Sequence, residues 1–164
     1  MKKTTLLVLS LLTLLWACKP APEEASKYSD SLLAFQKPAF GATISLEKSL
    51  SDTLYENVLA KKDALQKTLH DNINSIKAQP DFDKSTKYRT AVLNYLLEIN
   101  SLTENEYQEI LNFMLKPTAD FTEKDTKRYE KLKKLVVEKH QIALRHLQAA
   151  QEEFASSYEI TIAQ

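Results

Sequence analysis

The sequence holds a single glycine, Gly41, in 164 residues. Tight β-hairpins need positions with positive φ, and phosphate-cradling loops need close backbone approach. One glycine therefore excludes Gly-x-Gly-x-x-Gly, a Walker loop and a Gly-x-Ser-x-Gly elbow, and it disfavours β architecture. Cysteine is equally scarce: Cys18 stands alone and cannot form a bridge within the chain. Histidine occurs at 70, 140 and 146 only, and no two lie three or four residues apart. A bidentate histidine site on one helix face is thereby excluded. Three residues before these histidines stand Lys67, Val137 and Ala143, so the Glu-x-x-His pattern of carboxylate di-metal bundles is absent too. No apolar run is long: the best, Leu6 to Ala17, has twelve residues, which span roughly 18 Å as a helix against a hydrocarbon core of about 30 Å.

That run follows a positive Met-Lys2-Lys3 start and has the form of a secretory signal peptide over residues 1–17. Its end, Leu15-Trp16-Ala17-Cys18, looks like a bacterial lipobox. In proteins with that motif the cysteine sulfur takes a diacylglyceryl group and becomes the first residue of the mature chain. Ordinary cleavage sites fit poorly, because cutting after Ala17, Ala21 or Ala25 leaves Leu15, Lys19 or Glu23 where a small residue is required. A single acyl chain holds a protein only marginally, whereas two or three anchor it stably. Cys18 is thus expected to carry a membrane anchor. Lys19-Pro-Ala-Pro-Glu-Glu-Ala25 reads as an extended spacer, giving residues 18–26 as lipidated cysteine and Pro-rich linker and 27–164 as the folded domain. Without residues 1–17 the chain keeps 20 basic against 22 acidic side chains, no footprint for general nucleic-acid binding.

The domain shows four apolar stripes at helical spacing. Tyr28, Leu32, Phe35, Ala39, Ala42 and Leu46 form the first, with Pro38 inside it predicting a kink. Leu54, Val58, Leu65, Leu69, Ile73 and Ile76 form the second, opened by a Thr53-Leu-Tyr-Glu56 capping box. The third runs Tyr88, Val92, Tyr95, Leu96, Ile99, Leu102, Ile110, Leu111 and Met114, and the fourth runs Tyr129, Leu132, Val136, Ala143, Leu147, Ala150 and Phe154. The boundary between the first two is weak, since 49–52 contain neither Gly nor Pro; one unbroken helix of ~75 Å would overhang a ~45 Å partner, which favours a break. The expected fold is all-α, an up-down-up-down four-helix bundle.

Chemistry is sparse in this pattern. No catalytic, cofactor-binding or metal-binding residues are assigned. Asp81-Phe-Asp83-Lys-Ser85 begins like a calcium loop but has Thr86 and Val92 where glycine and the closing glutamate belong, so it reads as an acidic turn capping the third helix. His140 reads as a core-edge histidine. Two features carry binding signals. Tyr88 and Tyr95 share a helix face and are candidates to line a ligand pocket between helices, against the plainer reading of core-edge aromatics. Residues 116–145 carry nine basic and five acidic groups, whereas 81–115 carry three basic and six acidic. Lys124, Lys127, Lys131 and Lys134 share a face that can meet an acidic partner or head groups, unless it simply complements the acidic third helix.

The lipobox, Lys77-Ala-Gln-Pro-Asp-Phe-Asp83, Asn105-Glu-Tyr-Gln-Glu-Ile-Leu-Asn112, Phe121-Thr-Glu-Lys-Asp125 and His146-Leu-Gln-Ala-Ala-Gln-Glu-Glu-Phe-Ala155 together resemble a family of spirochaete-type helical surface lipoproteins. The resemblance implies a lipid-anchored bundle in the bacterial envelope, at the outer membrane or cell surface, and offers no catalytic residues. Lys19 after the cysteine, in place of Asp, fits outer-membrane sorting in bacteria that use that rule. The expected function is a non-enzymatic, anchored interaction protein with an unidentified protein or envelope partner; the alternative is a carrier holding a small molecule between helices.

Overall fold

A computed structural model describes residues 19–51 and 54–162. Cys18, the signal-peptide segment 1–17 and Thr53 lie outside the described residues. Among the described residues all regular structure is helical: α1 (Pro22–Ser49), α2 (Tyr55–Ala78), α3 (Lys87–Glu104), α4 (Glu106–Met114) and α5 (Glu123–Tyr158), with a short 3₁₀ turn at Thr118–Asp120. They pack as a helical bundle around one core. The stripes become that core, with Leu32, Leu46, Leu65, Leu69, Ile76, Leu96, Ile99, Leu102, Ile110 and Leu111 fully or almost fully buried. Each such side chain contributes on the order of 1.5–3 kcal/mol on leaving water.

The start of α1 corrects the expected spacer. Pro22 begins the helix, Glu23 and Glu24 lie in its first turn, and Ala25 is buried. Proline at the first helical position loses no bond that a helix would make, and acids there meet the positive end of the helix dipole. Pro-Glu-Glu is thus a helix start. α1 then continues through Pro38, whose ring lies on the exposed side. The break between α1 and α2 is present, so 27–78 form two helices. Leu54, expected in the second stripe, instead precedes α2 and is 65 % exposed.

The third stripe is carried by two helices. At Asn105 the backbone turns to φ −108°, ψ −79°. The Asn105 side chain donates to the Ser101 carbonyl at 2.8 Å beside its own backbone N–H, and Thr103 donates to the Ile99 carbonyl at 2.7 Å. Side chains that compete for helix carbonyls bend helices. α5 opens with a capping box: Thr122 Oγ1 accepts from the Asp125 N–H, and Asp125 accepts from the Thr122 N–H at 2.9 Å.

Contacts between helices fix their register. Tyr28 donates to the Pro80 carbonyl just beyond α2, and Asn72 of α2 donates to the Phe35 carbonyl of α1. Lys87 pairs with Glu153 and Arg128 with Glu109, joining α3 and α4 to α5. Of the helix pairs that meet, α1 and α5 touch least, leaving a groove of about 200 Å³ lined by Leu33, Gln36, Phe40, Leu144, Gln148 and Gln151.

Candidate interaction surface and buried polar network

Lys124, Lys127, Lys131 and Lys134 are all exposed on the outer face of α5. Lys127, Lys131 and Lys134 edge a shallow surface depression of about 450 Å³ with Glu130, Leu135 and Glu138. Complementing the acidic α3–α4 segment falls to other residues. Arg128 donates twice to Glu109 at 2.6–2.7 Å, and Lys139 pairs with Glu106. Of the four stripe lysines, only Lys127 has an ion pair among the described residues, a one-turn contact with Glu123. Their charge is not consumed in holding helices together.

The two candidate pocket tyrosines are separated. Tyr88 lines a crevice of about 80 Å³ with Tyr28, Phe154 and Tyr158, far below the roughly 300 Å³ of an ordinary ligand pocket. Tyr95 faces elsewhere, towards His140. The hydroxyl of Tyr88 lies 3.5 Å from Ser29 Oγ and accepts from Gln151 at 3.4 Å, so its polar end is taken up by the fold.

Polar groups converge inside the bundle, although the apolar stripes of the sequence show little chemistry. His140 is fully buried rather than at the core edge. Its Nδ1 lies 2.8 Å from Glu47 Oε1, its Nε2 lies 3.2 Å from the Tyr95 hydroxyl, and the Tyr107 hydroxyl donates to the same Glu47 oxygen at 3.4 Å. One assignment satisfies every atom: Nδ1–H donates to the carboxylate and Nε2 accepts from Tyr95. Burial, followed by the Glu47 charge, pushes both phenols well above the ordinary tyrosine range. Acid, imidazole and hydroxyl in line resemble a nucleophile-activating relay in composition. With its phenols held protonated and the Phe40 ring 5.8 Å from the imidazole, the network links α1, α3, α4 and α5. The sequence signal was faint: Glu47 sits beside Leu46 at the edge of the first stripe, and its partner lies 93 residues away.

The acidic turn does not gather its carboxylates. Asp81 accepts from Arg89 at 2.6 and 2.9 Å, and Asp83 accepts from Tyr158 at 3.0 Å. Thr86 caps α3 without a side-chain bond, so the expected acidic cap is replaced by these two links. Among the described residues no cluster of three or more His, Cys, Asp or Glu is placed to hold a metal, and no helix is long and apolar enough to cross a membrane. In comparisons with known proteins the chain matches no family model, no curated protein and no solved structure.

Proposed function

We propose that this chain is a lipid-anchored protein of the bacterial envelope, at the outer membrane or cell surface, that works by binding a partner and not by catalysis. In this reading residues 1–17 are a cleaved signal peptide and acylated Cys18 joins the domain to the membrane. The lipobox and the resemblance to spirochaete-type surface lipoproteins support that part. The opposed register of the contacts between α1 and α2, and between α3–α4 and α5, supports an up-down-up-down bundle. The observation that carries the partner-binding reading is the division of labour on α5. Arg128 and Lys139 reach across to α4, while Lys124, Lys131 and Lys134 make no ion pair among the described residues. Unspent cationic charge on a rigid helix steers an acidic partner and fades with salt.

Intact-mass measurement of membrane-extracted protein tests the anchor. The expected species begins at Cys18 with added acyl mass, and a mature chain that starts elsewhere without it removes the lipoprotein reading. A pull-down from envelope extract at low and high salt tests the surface, using the wild type and the variant with all four lysines changed to Glu. Equal recovery by both rejects the stripe. The carrier stays the second reading, moved from Tyr88 and Tyr95 to the groove between α1 and α5, where aliphatic walls and three glutamine amides converge, although its volume of about 200 Å³ is below the roughly 300 Å³ of an ordinary ligand pocket.

A further inference from the structure

The domain has a definite lower end, tied to the residue after Cys18. Lys19 Nζ sits 5.5 Å from the centroid of the Tyr158 ring. Tyr158 donates to Asp83 and packs edge-on against Phe82 at 5.1 Å, and Phe82 stacks on Tyr28 at 4.9 Å. Phe154 lies within 5.9 Å of Tyr28, Phe82 and Tyr158. Four rings thus bind the start of α1, the α2–α3 loop and the end of α5 into one block. Cation–π attraction draws Lys19 onto that block.

Between Cys18 and α1 stand only Lys19, Pro20 and Ala21. Fully extended, the chain from residue 18 to Pro22 reaches roughly 13 Å. The headgroup layer takes up about 5–7 Å of that, being half the difference between the whole bilayer and its hydrocarbon core. The block cannot rise more than several Å above the lipid surface. Its outer face is polar and of both signs, with Asp83, Lys84, Ser85 and Thr86 exposed, which suits the paired charges of a phosphocholine headgroup.

We propose that the end of the bundle formed by Lys19, residues 80–86 and the C-terminus of α5 lies directly against a layer of zwitterionic phospholipid headgroups. The lysine stripe then stands away from the membrane, since Lys134 to Lys124 precede Tyr158 by 24 to 34 residues of one helix, roughly 36–51 Å. This rests on acylation of Cys18, and the test is built to be independent of it. The chain beginning at Cys18, which contains every described residue, is coupled through its one thiol to a maleimide lipid in phosphatidylcholine vesicles. Lysine acetylation rates are then read by mass spectrometry against uncoupled protein with the same vesicles.

Acetylation of Lys84 is expected to slow at least threefold, with Lys124, Lys131 and Lys134 unchanged. A twelve-residue Gly-Ser insert between Cys18 and Lys19 is expected to restore the Lys84 rate. An unchanged Lys84 rate overturns the proposal, as does slowing centred on Lys131 and Lys134, which means a bundle lying on its side. Protection of Lys84 that survives the insert overturns the tether argument. Because the lipid is attached chemically, none of these outcomes depends on acylation in cells, which intact mass reports separately.

Discussion

Glu47 and His140, 93 residues apart, meet at 2.8 Å inside the bundle and join the last turn of α1 to the middle of α5. His140 is fully buried and the Glu47 side chain is 15 % exposed. Removing one member strands the other without its hydrogen-bond partner, at a cost of about 1.5–3 kcal/mol for a bond to a charged group. His140→Ala is therefore expected to destabilise the domain strongly, because it also leaves the Tyr95 hydroxyl without its acceptor. A double-mutant cycle with Glu47→Gln and His140→Ala, read by urea unfolding, is expected to give a coupling above about 1 kcal/mol. Additive losses would mean the two residues merely share a neighbourhood.

Asp125 supplies a pH signature at the start of α5. Hydrogen bonds from Lys116 and from the Thr122 hydroxyl and N–H hold its carboxyl well below the ordinary carboxylate range. A depressed folded-state pKa gives stability that is complete above the unfolded value, about 3.9, and lost as pH falls towards the folded one. Asp125→Asn should thus melt lower than wild type at pH 6, and the gap should narrow between pH 4 and pH 2. A gap constant over that range assigns the loss to helix capping alone.

Gly41 offers a prediction of opposite sign. It lies inside α1 with ordinary negative φ, and a Cβ built on it meets nothing within 4 Å. Gly41→Ala should stabilise by about 0.5–1 kcal/mol through helix propensity alone. A destabilised variant would show that the solvent face of α1 is occupied by something the described residues do not include.

These residues also mark what a sequence can disclose. The stripes were legible because burial repeats with the helix period, and Leu32, Leu65, Ile99 and Val136 all lie where that period puts them. Pro22-Glu-Glu was misread because proline and acids suit both a spacer and a first helical turn, and only the burial of Ala25 distinguishes the two. The bend at Asn105 was missed because it uses side-chain competition for carbonyls, without Gly or Pro. Glu47 with His140 was missed for a deeper reason: periodicity assigns a residue to a face but is silent on which residue of a distant helix stands opposite.

The lysine stripe gives the sharpest separation between function and fold. Lys124 and Lys127 lie in the first turns of α5, where cations oppose the positive end of the helix dipole and acids favour it. Changing Lys124, Lys127, Lys131 and Lys134 together to Glu breaks one ion pair among the described residues, the exposed one-turn contact with Glu123, and sets new carboxylates near Glu130 and Glu138, repulsions of about 0.2–0.5 kcal/mol per pair on a helix face. The melting temperature should stay within a few degrees of wild type. Arg128→Glu, one position away, should instead set a second carboxylate against Glu109 across the α4–α5 seam and lower stability, and adding Glu109→Arg should recover most of the loss by re-forming the pair in reverse. If the quadruple variant unfolds while Arg128→Glu is silent, the assignment is inverted: the stripe holds the bundle together and the α4–α5 pair is incidental. If the quadruple variant folds and the Arg128 pair behaves as a swap, any binding lost from the stripe is lost at the surface itself.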